Sequence, residues 1–394
     1  MDLFNAFYGV GKDFFADKNC GHTAYEIAHQ PAMWRKLAEY LQTQKQIIDD
    51  FFGKIGDLKN ARIVLTGAGS SGFVGRIVSG FVAEATGLGS EAIHTTDIVA
   101  SPKMCFPSSL EEKPTLLVSF ARSGNSPESV GAVNVARKLS KNLYELAIVC
   151  DGESLLSKIT RESANGLVLV MPEGTNDKGF AMTSSVSTMI LTGFTVLGGA
   201  DVSTITNGIT KLADIVEKKG PEYVNVAKAC ASFNPKRAWY MGSGPMVGLM
   251  QEGALKMMEL TNGAVVAGYN NAPEFRHGPK TVMTPETITI HFVSPDDYTA
   301  KYDIDLLNEL YSQKDGNKVV VICDEKSNHS ADMTAAYANV GDANFANLAV
   351  GIQGLVFMQL LSVYISLALN VPTDNPSPTG LVNRVVQGVT VYPY

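Results

Sequence analysis

Histidine is scarce in this chain. Six are scattered through 394 residues without ligand spacing, so no metal centre is expected. The five cysteines, at 20, 105, 150, 230 and 323, form no CxxC pair. They read as buried free thiols of a protein kept in a reducing cytoplasm. No apolar run reaches the ~18 residues that a bilayer-spanning helix needs, so no membrane partner is expected. Met1-Asp2-Leu3-Phe4 lacks the basic-then-apolar layout of a secretory leader, and none is expected. Basic residues are outnumbered, 32 Lys and Arg against 39 Asp and Glu, and the net charge is −7. With no long basic block, bulk nucleic-acid binding is excluded. Nucleotide signatures are missing too. There is no Gly-Lys-Ser/Thr phosphate loop, and Gly67-x-Gly69-x-x-Gly72 matches a dinucleotide fingerprint only weakly. No acidic residue ends a second strand some 20 residues on, Asp97 being the nearest and too distant. No cofactor is expected.

What the chain does have is one grammar used twice. Gly69-Ser70-Ser71-Gly72-Phe73-Val74-Gly75 follows the apolar run Ile63-Val64-Leu65, and Gly242-Ser243-Gly244-Pro245-Met246-Val247-Gly248 follows Trp239-Tyr240-Met241. Ile148-Val149-Cys150-Asp151 recurs as Val321-Ile322-Cys323-Asp324, and both 242 − 69 and 323 − 150 give 173. A shared offset over so long a span points to two copies of one α/β unit. The length itself favours two domains, and 45% hydrophobic with 18% charged residues is the composition of a soluble globular protein.

Residues 24–52 carry Ile27, Trp34, Leu37, Leu41 and Ile48 near helical spacing, with Pro31 interrupting or restarting the helix. From about residue 60, short apolar runs with glycine-bearing or polar exits alternate with helix-sized segments. That pattern predicts parallel sheets with helices on both faces. The expected organisation is a helical segment over residues 1–55, α/β domains over 56–210 and 211–371, and an ordered arm over 372–394 packed onto the body.

Ligands of open parallel sheets bind beyond the carboxyl ends of the strands. Two serine-bearing loops of the first copy belong there. One is Gly67-Ala68-Gly69-Ser70-Ser71-Gly72, and the other is Ser119-Phe120-Ala121-Arg122-Ser123-Gly124-Asn125-Ser126-Pro127-Glu128. Each opens a helix, so backbone N–H groups, hydroxyls and the helix dipole all favour a phosphate. Either loop alone could equally be an ordinary cap. In the second copy the place of Arg122-Ser123-Gly124 is taken by Ser294-Pro295-Asp296-Asp297, which would repel phosphate. That copy offers acid–base residues instead. Glu252, Lys256 and Glu259 share one helix face among Ala254, Leu255, Met257, Met258 and Leu260. A surface ion-pair ladder would be the ordinary reading, but the apolar neighbours call for partial burial and hence for partners or a job. His277 lies beside Gly278-Pro279 in a loop.

These motifs resemble the double sugar isomerase (SIS) domain family, which includes the isomerase half of glucosamine-6-phosphate synthase. The resemblance rests on the serine loops, Glu26-Ile27-x-x-Gln30-Pro31, Gly179-Phe180-Ala181-Met182-Thr183-Ser184-Ser185, Glu252-Gly253-Ala254-Leu255-Lys256-x-x-Glu259 and Arg276-His277-Gly278-Pro279. It spans residues 25–394. It is closest to the tagatose-6-phosphate ketose/aldose isomerases, several of which are galactosamine-6-phosphate deaminase/isomerases. The fold implied is two tandem, doubly wound SIS domains, flavodoxin-like three-layer α/β/α bodies.

The resemblance also implies roles. Ser71, Ser123 and Ser126 hold a sugar phosphate, with Ser70 and Arg122 alongside, and Thr183 belongs to a substrate-proximal loop. Glu259 is the carboxylate that moves a proton between C1 and C2, Lys256 lies beside it, and His277 opens the ring. In the synthase that histidine comes from a neighbouring subunit, which implies a homodimer or higher homo-oligomer here, with His277 near the interface. Two departures stand out. The synthase's glutaminase cysteine has no place in a lead-in of about 60 residues that begins Met1-Asp2, so glutamine-dependent synthesis is not expected. The synthase's C-terminal-loop lysine is replaced by Leu381-Val382-Asn383-Arg384, where Asn383 or Arg384 could face the sugar. The implied activity is conversion of galactosamine 6-phosphate and water to tagatose 6-phosphate and ammonia. The alternatives are a non-deaminating aldose–ketose isomerase and a non-catalytic sugar-phosphate sensor.

Overall fold

Among the described residues, ten strands form two sheets of five. The first holds Arg62–Thr66 (β1), Glu91–Ala92 (β2), Thr115–Ala121 (β3), Leu143–Val149 (β4) and Gly166–Val170 (β5), in spatial order β2-β1-β3-β4-β5. The second holds Arg237–Met241 (β6), Val266–Asn270 (β7), Thr287–Phe292 (β8), Lys318–Asp324 (β9) and Met333–Tyr337 (β10), in order β10-β9-β8-β6-β7. Every pairing is parallel. Read from the second strand of each copy, the orders are the same, and both are the flavodoxin-like 2-1-3-4-5 arrangement. The computed structural model describes residues 2–313, 315–324, 329–341, 345–386 and 388–394.

The chain divides into two compact units. The first-sheet unit comprises Met33–Asn176, Ser184–Ile209 and Val382–Tyr394; the second-sheet unit comprises Met1–Ala32, Asp177–Thr183 and Thr210–Leu381. In the first-sheet unit β3 is buried along its whole length, as a strand covered on both faces must be. Leu117, Ala121, Ala147 and Val149 pack with Ala132, Val133 and Ala136 of helix Pro127–Leu139. Phe120 points the other way, against helix Ser184–Leu197. In the second-sheet unit Met241, Val319, Val321 and Cys323 meet Leu306, Leu307 and Leu310 of helix Asp297–Gln313. Phe292 and Ile322 face helix Ala346–Ala368 on the opposite side. Both are three-layer α/β/α bodies, the expected class.

The duplication is present, but its register is not the expected 173. β1 and β6 begin at 62 and 237, β2 and β7 at 91 and 266, and β4 and β9 at 143 and 318, each pair 175 apart, whereas β3 and β8 begin at 115 and 287, 172 apart, and β5 and β10 at 166 and 333, 167 apart. The glycine equivalent to Gly69 is therefore Gly244. Both adopt positive φ, +56° and +59°, just before a helix, a conformation that only glycine takes without strain. Since strand side chains alternate with period two, a slip of two residues preserves every inward and outward position. Cys150 and Cys323 consequently are not equivalent: Cys323 lies inside β9, while Cys150 follows the end of β4.

Helix Gly21–Ala28 ends at His29 and helix Gln30–Ile55 begins at once. Pro31 restarts the helix in its first turn, where the missing N–H costs nothing. The arm beyond residue 372 is ordered where it returns to this region. The Asp374 carboxylate accepts from His22 N, Thr23 N and Thr23 Oγ1 at 2.7–2.8 Å, capping the Gly21–Ala28 helix from far along the chain.

Helix Ala346–Ala368 has a mean hydropathy of 1.9 over its most apolar window, so its length and composition do suit a membrane span. Counting unbroken apolar residues had passed over it. That window is entirely buried within the protein. Its polar groups are also paired: Gln353 Nε2 donates to Ala338 O at 2.7 Å and Ser366 Oγ to Leu260 O at 2.6 Å. It is the core helix of the second-sheet unit.

Candidate functional site

In the first-sheet unit, residues 67–71 carry the chain from β1 into helix Ser70–Thr86. The turn is tight. A Cβ on Gly67 would lie 2.5 Å from the Ser71 backbone, so no side chain fits there. Ser70 and Ser71 thereby start the helix, 4% and 5% exposed, at the end where backbone N–H groups and the dipole draw anions. His94, which follows β2, lies against the same turn, its ring edge-on to Phe73.

The second loop leaves β3. Arg122 is buried, while Ser123 and Ser126 are half-buried. Ser126 is the N-cap of helix Pro127–Leu139, yet its hydroxyl does not cap; it shares a 2.7 Å hydrogen bond with Ser129 Oγ. The Ser123 hydroxyl accepts from Asn125 N at 3.4 Å. Both hydroxyls thus keep lone pairs and rotational freedom for a ligand. Arg122 donates to the main-chain carbonyl of Arg384, and the Arg384 guanidinium donates to Asn176 Oδ1 at 3.0 Å. Asn383 and Arg384 are exposed. The loops after β1 and β3 flank the point where the strand order reverses, the place at which open α/β sheets bind ligands.

In the second-sheet unit, helix Met246–Leu260 carries the charged row. Good helix formers dominate it, and the spacing of its charges sets their environments. Glu252 and Lys256 side chains are wholly buried, and Glu259 at the C-terminal turn is 28% exposed. Lys256 Nζ is 3.2 Å from Glu252 Oε1 and donates to Glu259 Oε2. Burial alone would push the Lys256 ammonium down, but the two carboxylates outweigh it and hold the group above its ordinary value. A buried cation gripped by one buried and one partly open carboxylate fixes the open one in place. An ordinary ladder of surface ion pairs is thereby excluded, since two of the three charges have no access to water.

His277 is exposed, in the loop after the short helix Ala272–Phe275. Its backbone is fixed on both sides. Asn271 caps the short helix at 2.9 Å, and Arg276 forks onto Asp305 at 2.8 Å and Glu309 at 2.7 Å, with Lys280 on the same Glu309. Thr183 lies elsewhere in environment. It is fully buried, its amide and hydroxyl both donating to Asp177 at 3.1 and 3.0 Å. The Glu26 carboxylate accepts from the backbone of Lys178 and Gly179 in the same segment. Burial, then the nearby Asp177, pushes Glu26 up to about 8.

The structure therefore brings Ser70, Ser71, Arg122, Ser123, Ser126 and Arg384 onto one unit, and Lys256 and Glu259 onto one helix of the other. Glu252 shares the helix face of Lys256 and Glu259, and its position four before Lys256 is the sequence signal for its role as the buried partner of that ammonium. The bonds that Glu26 accepts from the Lys178 and Gly179 amides span more than 150 residues of sequence, which no local pattern records. Among the described residues, no three His, Cys, Asp or Glu side chains gather to hold a metal ion.

Comparison with known proteins accords with this arrangement. Residues 233–364 match the SIS domain family. Over 376 residues the chain is 36% identical to D-galactosamine-6-phosphate deaminase AgaS of Escherichia coli, covering 94% of this chain and 96% of that protein. The chain belongs to the AgaS family of SIS-domain proteins. Among solved structures, the tagatose-6-phosphate ketose/aldose isomerase of Escherichia coli superposes with a TM-score of 0.83 at 33% identity, covering 95% of this chain and 96% of that one. A Clostridium novyi protein described as a tagatose-6-phosphate ketose/aldose isomerase gives a TM-score of 0.89 at 36% identity, with 98% and 99% covered. Near-complete coverage extends the relationship over both sheets of this chain, beyond the single matched SIS segment.

Proposed function

We propose that this chain converts D-galactosamine 6-phosphate and water to tagatose 6-phosphate and ammonia. The observation that carries the reading is the Lys256 ammonium buried between Glu252 and Glu259, which holds one partly open carboxylate in a set orientation. An unneeded buried charge would cost several kcal/mol, whereas a fixed base is what proton transfer at carbon requires.

The roles follow. Ser70, Ser71, Ser123 and Ser126, with Arg122, hold the phosphate, whose binding energy, remote from the reacting carbons, orients the sugar. His277 moves a proton between the ring oxygen and the C1 hydroxyl, opening the ring to the aldehyde. Glu259 takes the C2 proton while the C1 carbonyl oxygen gains one from water, giving an enolamine, and returns its proton to C1 as the nitrogen loses one to water. The ketimine left at C2 adds water and releases ammonia, completing the balance. Lys256 remains charged and positions Glu259. Asn383 and Arg384 reach the sugar, and Thr183 holds its loop through Asp177. The exposure of His277 supports a setting in which a second copy of the chain lies close, as a homodimer or higher oligomer. Five free cysteines support a reducing, cytoplasmic location.

The test is to incubate the purified protein with galactosamine 6-phosphate and assay ammonia and ketose phosphate together. Equimolar appearance of both is expected. Ketose phosphate chemistry without ammonia, seen only with a neutral aldose phosphate, would make it a simple isomerase. Neither product would leave a sugar-phosphate sensor.

A further inference from the structure

Because the two sheets share one strand order, the loops leaving β6 and β8 occupy in the second-sheet unit the topological place that the loops leaving β1 and β3 hold in the first. Strand register pairs their residues. Thr66 corresponds to Met241 at the 175 offset, and these pair with Ser119 and His291 of the adjacent strands. On that basis Ser70 and Ser71 become Pro245 and Met246, while Arg122 and Ser123 become Ser294 and Pro295. Of these four replacements only Ser294, standing for the arginine, brings a side-chain hydroxyl.

A carboxylate has come in instead. Asp303, on helix Asp297–Gln313, is 2% exposed. Its Oδ1 accepts from Ser243 Oγ at 2.6 Å and its Oδ2 accepts from Ser294 N at 3.0 Å. Ser243 belongs to the loop after β6 and Ser294 to the loop after β8. Each oxygen of one anion is thus held by one of the two loops, by short bonds of the kind that charged acceptors make. Among the described residues, no aspartate stands at the matching helix position in the first-sheet unit. The N-cap position of its helix is Ser126, and the residue before the second helix is Asp296, whose Oδ1 accepts from Thr299 N at 2.8 Å. Counting from those positions, Asp303 falls on Val133, an apolar core residue.

We propose that the second-sheet unit retains an anion-binding cradle between the loops after β6 and β8, and that Asp303 is its built-in ligand. The duplicated site is filled from within, so this unit takes no phosphate ester of its own. The two loops are tied together by the Asp303 carboxylate, at the place where the first unit carries the proposed phosphate site. This inference borrows from the proposed function only the location of the phosphate in the first-sheet unit; the cradle itself rests on the contacts of Asp303.

Small-anion rescue tests it. Asp303→Ala removes the internal anion and leaves Ser243 Oγ and Ser294 N facing a space of carboxylate size. Thermal unfolding is measured in sodium formate, sodium phosphate and sodium chloride at matched ionic strength. Formate is expected to raise the midpoint of Asp303→Ala by roughly 5 °C over chloride, with no such difference for the wild type. Adding Ser243→Ala to that variant should abolish the gain. A formate effect equal in wild type and variant, or none in the variant, overturns the proposal. Should Asp303→Ala fail to fold, Asp303→Ser is measured the same way, and for both the refolding yield in formate against chloride is read. A yield several-fold higher in formate supports the cradle, and equal yields overturn it. Phosphate acting as well as formate would mean that the cradle can still take a phosphate once vacated, which supports its kinship with the first. None of these readouts uses sugar turnover, so their failure and that of the deaminase reading are separable.

Discussion

Arg122 donates to the main-chain carbonyl of Arg384 at 2.7 Å, joining the loop after β3 to a segment 262 residues further along. The bond uses one edge of the guanidinium, and the remaining N–H groups of an arginine fork point elsewhere. A side chain proposed to sit beside the phosphate thus also anchors the segment bearing Asn383 and Arg384. Arg122→Lys keeps the charge but loses the fork. Its KM for the sugar phosphate should rise about tenfold, as loss of ~1.5 kcal/mol implies, and cleavage by added protease within residues 382–394 should quicken. Arg384→Ala keeps the carbonyl and should leave the cleavage rate near that of the wild type. Equal protease sensitivity in the two variants would contradict this coupling.

Glu259→Gln should lower kcat by about 10²–10⁴-fold with little change in KM, the range for a lost general base. Solvent-deuterium incorporation at C1 of the ketose product, followed by NMR, should fall in parallel. Retention of most turnover would remove the proton-transfer role.

Lys256→Met tests the burial of the charged row by stability rather than by rate. It strands Glu252 without its cation, and both side chains are wholly buried, so urea unfolding should register a loss of about 3–5 kcal/mol. The double variant Lys256→Met with Glu252→Gln should recover most of it. A single variant as stable as the wild type would mean that the pair is not buried in solution.

His277→Asn should cost far more turnover on the cyclic substrate than on an open-chain analogue that cannot close. Similar losses on both would assign the histidine to binding rather than ring opening.

Glu26 gives a pH dependence with a definite sign. Burial, and after it the Asp177 carboxylate, raise its folded value to about 8, with Asp374 adding to the rise and the Lys178 and Gly179 amides opposing it. A group raised above its unfolded value contributes stability that is complete at low pH. That contribution is lost as pH climbs through the folded value. The wild type should therefore lose stability between about pH 5 and pH 8 relative to Glu26→Gln, which cannot titrate. Urea midpoints for both proteins at pH 5, 7 and 9 decide it; parallel curves would show that Glu26 is not perturbed.

Local chemistry carried much of this structure into the sequence. Short apolar runs with glycine exits announced parallel strands, and Ser126-Pro127 announced the start of its helix. The three-and-four spacing of Glu252, Lys256 and Glu259 placed them on one face. The offset of the duplication was misjudged by two because Gly242 and Gly244 both precede the same helix, and a period-two slip leaves strand patterning intact. The motif places Thr183 in a substrate-proximal loop; its burial and its bonds to Asp177 come from packing that no motif encodes. Helix Ala346–Ala368 escaped the membrane test on unbroken runs only because Gln353, Gln359, Ser362 and Ser366 punctuate it, and those same residues find partners in the fold. Asp303 was invisible for a related reason, since its partners Ser243 and Ser294 lie on two other loops.

The cap that Asp374 places on helix Gly21–Ala28 bears on how the molecule is made. A ribosome releases residues 21–28 long before residue 374 exists, so that helix must wait, half-finished, through nearly the whole of synthesis. Its unit also needs residues 177–183 and the greasy Ala346–Ala368 segment, whereas most of the other unit is complete by residue 209. The newborn chain should thus carry a folded first-sheet body early, trailing Phe4, Phe7, Tyr8 and Phe15 as an exposed aromatic cluster. Contacts of such long loop length close slowly. During that interval the earliest residues made are those most in need of a chaperone's shelter.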